Sequence, residues 1–460
     1  MIYKFGIECG IGAEKLSGFF KLIRLDTHVG VSPSAIGQQL KKMELLLPQF
    51  QASCEQKVKG GRYPSVVAMD ETFFGDLLIL VLMDLRSGYL LLEDISDDRC
   101  FDTWFSKAQP RLNTLGIDIQ HAVSDRAKAL IKLAINGFEC ESGADLFHAQ
   151  QDASRWLGPT LAKRITAAEK QKAATEMALN KKSRDTQIKQ AHVEAVEQVK
   201  HAVQAQSDYH EALQQGMSED LHPFSLRDDT ANNASILEDK LNTRIHCFDT
   251  IAQDQGIADK RNSLKKLKNQ LPALAIHVKS WWLWVDENLK ALETETALRE
   301  WITLILLPVI YWHYQLHRTQ NPKTREKYQI AWERASQTLR EHEASAPFLS
   351  EGQAHWVEWA DWMVRQFHRS SSAVEGRNGC LSQMYHNGRG IPESRLKTLT
   401  VIHNYGLKRN DGTTAAERLF ATEFPDLFPW LLEQMGALPL PRKGRTKVTH
   451  DPLKLLGVPA

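Results

Sequence analysis

The sequence predicts a mixed α/β fold in which a block of short strands lies between two helical regions. Apolar runs of strand length follow one another between residues 64 and 147. Helical patterns with one apolar face occupy residues 15–47. From about residue 160 to residue 365 the strand pattern is absent, and residues 160–215 are rich in Ala, Gln, Lys and Glu. A chain of 460 residues with 42% hydrophobic composition can form two or three packed domains.

The N-terminal pattern is typical of a helix-turn-helix. Apolar residues between positions 19 and 25 form one helical face, and Gly30 then permits a tight turn. Ser32 can cap a second helix and Pro33 suits its first position, so we expect that helix over about residues 33–46. As a recognition helix it would enter a major groove, and an ordinary helical hairpin is the alternative. The candidate DNA-binding residues on it are Ser34, Gln38 and Lys41.

The central block predicts the order strand-strand-strand-helix-strand-helix-strand. The predicted strands cover residues 66–69, 77–84, 89–95, 117–123 and 144–147. The first three are joined by short turns and should pair antiparallel. A helix predicted over residues 100–115 forms a crossover, which brings the fourth strand parallel to the first. Asp70 ends the first strand and Asp125 follows the fourth, so we expect the two carboxylates side by side.

Residues 160–365 are predicted to form an all-α segment. Residues 160–215 contain no proline and predict a long solvated helix or a coiled-coil arm. Residues 218–235 are predicted as a loop, and residues 236–365 are helical again, with tryptophans at spacings that suit a core. The predicted domains are residues 1–62 (helix-turn-helix), 63–159 (first part of the core), 160–365 (all-α insertion), 366–425 (second part of the core) and 426–460 (C-terminal tail).

The bulk properties exclude several classes of protein. A formal net charge of +1 means that a DNA-binding protein of this composition must concentrate its basic residues locally. Six scattered cysteines without a CxxC pair argue against a zinc site or a disulfide framework, which fits a reducing cytoplasm. No secretory signal pattern is present, and the most apolar segment, residues 301–312, is too short to cross a membrane. We therefore expect a soluble cytoplasmic protein.

Three acidic residues carry the strongest indication of chemistry. Asp70 and Asp125 end apolar strands, and Glu375 lies in a segment that predicts a helix start. Carboxylate oxygens are the preferred ligands of hard divalent cations, and two such ions can hold the attacking and leaving oxygens of a phosphodiester displacement. We expect the three residues to be catalytic and to bind two Mg²⁺ or Mn²⁺ ions. The neighbouring carboxylates that compete for the same role are Glu71, Asp84 and Asp94.

These acidic residues, in this order and context, resemble the catalytic triad of the DDE transposases of insertion sequences. The resemblance covers most of residues 15–425, and the segment NYGLKRNDGTTAAERLF at 404–420 is similar to the end of many bacterial transposase catalytic domains. It implies an RNase H-like core with a mixed five-stranded sheet, interrupted by the all-α insertion. It also implies metal-dependent strand cleavage and 3′-hydroxyl strand transfer by a homo-oligomer that binds transposon ends and target DNA, in a bacterial nucleoid.

Further residues resemble parts of such enzymes. The sequence from Asp145 to His148 is similar to a C/DxxH motif that follows the second aspartate, and local hydrogen bonding is its alternative role. Trp156 could stack on an unpaired base at a transposon end, and a place in the core is the alternative. Phosphate contacts are expected from basic residues around and beyond the glutamate. These are Arg369, Arg377, Arg389 and Arg395.

Other functions stay open on the sequence alone. A transposase-derived protein could bind DNA without catalysis, as a repressor or an inactive remnant. The helical region could be a scaffold with a decayed sheet, or the protein could be a simple RNase H-like nuclease. The intact acidic set and the helix-turn-helix pattern favour an active transposase over these alternatives.

Overall fold

The computed structural model has a mixed α/β architecture and divides into two compact units. Unit 1 contains residues 1–57, 381–417 and the described part of 422–460, and unit 2 contains residues 58–380 and 418–421. The structure describes residues 1–182, 184–343, 345, 354–386 and 390–441, and for residues 216 and 217 it describes only the backbone. Within these residues no helix is long and apolar enough to cross a membrane.

The elements follow in chain order. The strands are β1 (Tyr63–Phe74), β2 (Leu77–Asp84), β3 (Leu90–Ser96), β4 (Ile117–Ser124) and β5 (Glu141–Ala144). The helices are α1 (Ala13–Leu22), α2 (Pro33–Lys57), α3 (Phe101–Leu115), α4 (Lys128–Lys132), α5 (Leu146–Lys181), α6 (Thr186–Gln214), α7 (Ala234–Asp254), α8 (Ser263–Ala291), α9 (Thr296–Trp301), α10 (Leu307–Arg318), α11 (Pro322–Glu341), α12 (His355–Val364), α13 (Ser372–Met384), α14 (Glu393–Tyr405), α15 (Ala415–Phe420) and α16 (Leu427–Met435). Short π-helical or 3₁₀ turns cover Ile2–Glu8, Leu25–Thr27, Leu133–Gly137, Gln215–Glu219 and Ile302–Leu306.

The sheet of unit 2 has the strand order β3-β2-β1-β4-β5. The first three strands are antiparallel neighbours, and β4 and β5 run parallel to β1. This confirms the predicted order of strands and helices. Helix α3 packs against the sheet, and its residues Trp104, Ala108 and Leu112 are buried.

Two strands, β1 and β5, differ from their predicted bounds by more than one residue. β1 continues to Phe74, so Asp70 lies within the strand and pairs with Val81 of β2, where the sequence had suggested a strand end. The reason is the short hairpin turn at residues 75 and 76, which lets antiparallel pairing run to its tip. β5 ends at Ala144 because Asp145 already caps the next helix, so the prediction of 144–147 was wrong by about three residues.

The long helical arm is a hairpin of two helices. α5 begins at Leu146, well before the predicted start, and α6 packs against it along its length. The break between them ends at Asp185, whose carboxylate caps α6 by accepting hydrogen bonds from the N–H groups of Gln187 and Ile188. The tryptophans predicted as core are largely buried, including Trp301 and Trp312 at 2% and 0% exposure.

In unit 1, α2 is longer than predicted and continues past Pro48 to Lys57. Its buried face packs against α14, and the Phe50 ring meets the rings of Tyr405 and Trp430 edge to face. Ser32 caps α2 as expected, since its Oγ accepts a hydrogen bond from Ala35 N. The buried face of α2 consists of Ile36, Leu40, Met43, Leu47, Phe50 and Cys54.

Gly30 has a different role from the predicted tight turn. Its N–H donates to the carbonyl of Pro439 at 2.6 Å, and a Cβ at this position would lie 2.8 Å from the carbonyl oxygen of Leu440. Glycine is required here because two backbone segments approach closely. The backbone conformation is not the reason, since the φ of Gly30 is not in the left-handed region.

Candidate active site

Asp70 and Asp125 lie at the same level of the sheet on neighbouring parallel strands. The last paired residues of β1 and β4 are Ala68 and Val123, and each aspartate follows two residues later. Asp70 is partly buried, whereas Asp125 is exposed just past β4, with its Oδ1 accepting a hydrogen bond from Ala127 N at 2.9 Å. The two carboxylates therefore lie next to each other at one end of the parallel pair.

The loop after β4 is fixed by the residue that follows Asp125. Arg126 adopts a left-handed conformation with φ 66°, which turns the chain sharply. Its backbone N–H donates to Ser124 Oγ at 3.2 Å, and its guanidinium donates to the carbonyl of Ser142 on β5 at 2.7 Å. These bonds hold Asp125 at the carboxyl end of β4.

A buried carboxylate, Asp145, joins the start of α5 to the start of α13. Its Oδ1 accepts hydrogen bonds from Phe147 N at 2.9 Å and from Ser371 N at 3.1 Å, and its Oδ2 accepts one from Ser371 Oγ at 2.5 Å. Asp145 thus caps α5 and binds the residue just before α13 with the same side chain. This gives a physical basis to its predicted supporting role, because α13 carries Glu375.

His148 lies between Asp145 and Glu375. Its Nε2 is 3.6 Å from Asp145 Oδ2 and 3.6 Å from Glu375 Oε1. The side chains of His148 and Glu375 are 31% and 37% exposed, so both face solvent at the rim of the site. Glu375 lies in the first turn of α13, which confirms the predicted helix start. In the first turn of a helix the helix dipole favours a negative charge.

Two further residues of α13 fix Glu375 relative to the sheet. Arg377 is buried and donates two hydrogen bonds to Glu93 on β3, both at 2.7 Å. Asn378 donates from Nδ2 to Asp70 Oδ2 at 2.8 Å. Sequence reasoning gave Asn378 and Glu93 no role. The signal for Asn378 was its spacing of three residues from Glu375, which places both on one helix face.

The electrostatics of Asp70 reflect this grouping. Burial raises the pKa of Asp70 to about 6; the N–H of Glu71 that donates to it lowers the value, and the charges of Glu375 and Asp125 raise it. The three predicted ligands are therefore close enough to interact electrostatically. A carboxyl with a raised pKa among other carboxylates is a frequent feature of catalytic sites.

The carboxylates that competed with Asp70 in the sequence have structural partners instead. Asp84 is fully buried and accepts hydrogen bonds at the turn between β2 and β3, while Glu71 and Asp94 form ion pairs. Their partners are Ser65 and Ser87 for Asp84, Lys107 for Asp94, and Arg99 and Trp104 for Glu71. Of these four acidic residues, Asp70 is the one that faces the other predicted ligands.

The donor set suits a hard divalent cation. Asp70, Asp125 and Glu375 offer carboxylate oxygens, and Asn378 Oδ1 is buried beside Asp70 without a hydrogen-bond partner in the described part of the chain. A cation would also offset the burial and the neighbouring negative charges that raise the pKa of Asp70. Among the described residues, no three His, Cys, Asp or Glu side chains are close enough to surround one ion. This conformation therefore offers suitable oxygens without a ready three-ligand centre.

Several predicted phosphate contacts are engaged inside the protein. Arg377, at 6% exposure, has almost no surface to offer a phosphate and instead neutralises buried Glu93. Arg369 donates to the carbonyl of Leu221 at 2.5 Å, and Arg395 donates to Glu44 Oε1 at 2.6 Å within unit 1. The structure thus gives these arginines internal partners that the sequence did not reveal. Arg389 lies outside the described residues.

The remaining predicted DNA contacts divide into a buried residue and an exposed set. Trp156 is 8% exposed on α5, so in this conformation its ring belongs to the core and cannot stack on a base. Ser34, Gln38 and Lys41 are all exposed at positions i, i+4 and i+7 of α2 and share one face. That is the arrangement a recognition helix requires, and their contacts with DNA stay predictions.

Comparison with known proteins assigns no activity. Residues 302–447 match the model of DUF6399, which is described as a family of unknown function. The match covers less than half of the chain and includes Glu375 but neither Asp70 nor Asp125. A search of the curated proteins finds no match.

Proposed function

We propose that the protein is a DNA transposase that cleaves DNA strands and joins a 3′-hydroxyl to target DNA with the help of divalent metal ions. In this proposal the sheet and α13 form an RNase H-like core, and residues 160–365 are an all-α insertion within it. The observation that carries the proposal is the grouping of Asp70, Asp125 and Glu375, which come from two adjacent parallel strands and a distant helix.

The acidic residues have distinct parts in this proposal. Asp70, Asp125 and Glu375 would hold two Mg²⁺ or Mn²⁺ ions. Such ions, when bound, supply Lewis-acid activation of water or a 3′-hydroxyl and stabilise charge on the phosphate oxygens. Asn378 orients Asp70 through its 2.8 Å hydrogen bond. His148, beside Glu375, can orient that carboxylate or donate a proton to a phosphate oxygen.

Arg99 is a further candidate that sequence reasoning missed. Its guanidinium is 59% exposed and is held by an ion pair with Glu71 at 2.8 Å. The hydrogen bond and the charge of Glu71 raise the pKa of Arg99, and the nearby charge of Asp125 adds a smaller contribution. An exposed cation whose charge interacts with that of Asp125 suits contact with a DNA phosphate.

DNA recognition would be separate from the chemistry. Unit 1 offers the exposed face of α2, with Ser34, Gln38 and Lys41, to a major groove. Transposon ends and target DNA are the proposed partners, and the protein would act as a homo-oligomer that bridges two ends. An RNase H-like nuclease would need neither this helix nor the long helical arm.

The test is a strand-transfer assay with pre-cleaved DNA ends taken from the flanks of the encoding gene. We expect joined products in Mg²⁺ or Mn²⁺, none in EDTA, and none with Glu375→Gln. Glu295→Gln is the matched control, because Glu295 is an exposed glutamate at the start of α9 without a side-chain capping bond. Joining by Glu375→Gln at the rate of the control would contradict the assignment of the third ligand.

A DNA-binding protein without catalysis is the second candidate. The observation that favours it is that the three carboxylates do not converge on one point in this conformation. It predicts binding to the same DNA ends without joining in either metal. The strand-transfer assay therefore separates the two proposals directly.

A further inference from the structure

The α5–α6 hairpin has an outer part that contributes little to the core of unit 2. Its hydrogen bonds to other parts of the unit lie at its base, for example from Arg164 to the carbonyl of Gly256 at 3.4 Å and between Gln255 and His201 at 3.0 Å. Leu161 marks the end of the buried face on α5. Within residues 162–194, none of the described side chains is buried. Residues 165–181 of α5 alone would extend about 25 Å.

Charge along the hairpin is segregated towards its tip. Residues 170–189 contain six basic and two acidic residues, a net charge of +4. The rest of the hairpin, residues 160–169 and 190–215, contains three basic and five acidic residues, a net charge of −2. The whole chain carries only +1, so the tip is a local concentration of positive charge rather than a reflection of composition.

The basic residues at the tip have no acidic partners among the residues that the structure describes. Lys181, Lys182, Arg184 and Lys189 are all exposed, and none of them forms an ion pair with any residue that the structure describes. Asp185, the acidic residue next to Arg184 in the sequence, already accepts hydrogen bonds from two backbone N–H groups of α6. Four uncompensated cations that repel one another destabilise a helix end that has no core, unless a polyanion offsets the repulsion.

We propose that this tip, defined by Lys181, Lys182, Arg184 and Lys189, binds the phosphate backbone of double-stranded DNA. Lysine and arginine on flexible exposed side chains contact phosphates without reading sequence. A single-stranded partner is disfavoured because residues 162–200 contain no Phe, Tyr or Trp on which bases could stack. The choice of DNA over another polyanion rests on the proposed function, since unit 2 also carries the candidate active site.

The experiment measures DNA affinity of the full chain as a function of salt. Fluorescence anisotropy with a labelled duplex of arbitrary sequence is recorded between 50 and 200 mM NaCl for three proteins. They are the wild type, a tip variant (Lys181→Gln, Lys182→Gln, Arg184→Gln and Lys189→Gln) and a dispersed control (Lys163→Gln, Lys266→Gln, Lys290→Gln and Lys323→Gln). Both variants lose four exposed positive charges, and glutamine preserves helix propensity, so circular dichroism should be unchanged.

Counterion release sets the expected size of the effect. Four phosphate contacts contribute about 3.6 to the slope of log affinity against log salt, which corresponds to a loss on the order of 100-fold between these two salt concentrations. We expect the tip variant to lose most of that slope and to bind more weakly at 50 mM, while the control keeps the wild-type slope. Equal slopes for the tip variant and the control would overturn the proposal. So would wild-type binding confined to single-stranded DNA or heparin, or no binding to duplex DNA at all.

This experiment is independent of catalysis. Glu375→Gln should bind duplex DNA with the wild-type salt slope, because its change lies outside the tip. If the tip variant loses the salt slope but the wild-type chain never joins DNA, the result supports DNA binding by the tip and refutes only the proposed transposase activity. If the tip variant joins DNA normally and keeps the wild-type slope of log affinity against log salt, the result refutes only DNA binding by the tip.

Discussion

Replacement of Arg377 by methionine should destabilise unit 2 by about 3 to 5 kcal/mol. The Arg377 and Glu93 side chains are only 4% and 0% exposed, and their two hydrogen bonds are both 2.7 Å long. Burial by itself lowers the pKa of Arg377, but the charge of Glu93 and the hydrogen bonds with it raise the pKa above the usual value. Without the guanidinium, Glu93 keeps a buried charge and loses both of these bonds.

The double variant separates the cost of leaving the buried Glu93 carboxylate without Arg377 from the value of the pair. Arg377→Met with Glu93→Leu removes both charges and fills the space with apolar groups, so it should recover most of the stability that the single variant loses. The control is Lys290→Met, which breaks an exposed ion pair with Asp286 on α8 and should cost less than about 1 kcal/mol.

Urea denaturation followed by tryptophan fluorescence measures these effects. Eleven of the twelve tryptophans lie in residues 58–380, so the signal reports almost entirely on unit 2. Strand transfer should fall together with stability, because Arg377 anchors the helix that carries Glu375. A single variant that loses less than about 1 kcal/mol, or a double variant no more stable than the single one, would refute the reasoning.

Three other predictions concern the site and its surroundings. Asp70→Asn should raise the free energy of unfolding in metal-free buffer at pH 8 by about 1 to 3 kcal/mol. The reason is that burial raises the pKa of this carboxyl to about 6, so its ionisation at pH 8 disfavours the folded state. A less stable variant in urea denaturation would contradict this. Asn378→Ala should weaken Mn²⁺ binding about tenfold or more in calorimetry, since it orients Asp70, and an unchanged affinity would remove that role. Burial lowers the pKa of His277 to about 4, so the folded state binds fewer protons than the unfolded one and stability should fall as pH drops from about 6.5 to about 4. His277→Gln can keep the bonds to His121 and the Ala144 carbonyl and should lose less stability over that range; an identical pH dependence would exclude His277 as its source.

The parts of the fold that the sequence predicted best are those fixed by local pattern. β2 matches its predicted bounds at Leu77–Asp84, and α3 differs by one residue from the predicted 100–115, because each has a clear apolar period between turn residues. The strand order also followed from pattern, since a crossover helix forces β4 parallel to β1. The predicted boundaries were wrong where hairpin pairing or a helix cap sets the end of a strand, as at the end of β1 and at Asp145 after β5.

The residues of the candidate site could be proposed from the sequence, whereas the contacts that hold them in place could not. Asp70, Asp125 and Glu375 could be chosen because each stands at an informative place in a local pattern. The bond from Asp145 to Ser371 spans 226 residues and the pair of Arg377 with Glu93 spans 284, and no local pattern records such contacts. For the same reason the sequence could not distinguish an arginine that faces DNA from one that neutralises a buried carboxylate.

The measurement that tests the central claim most directly is strand transfer by three single variants, Asp70→Asn, Asp125→Asn and Glu375→Gln, beside the wild type in Mn²⁺. If the three carboxylates act together, each variant keeps its fold and its DNA binding and yields no joined product. Normal joining by any one of them would contradict the account.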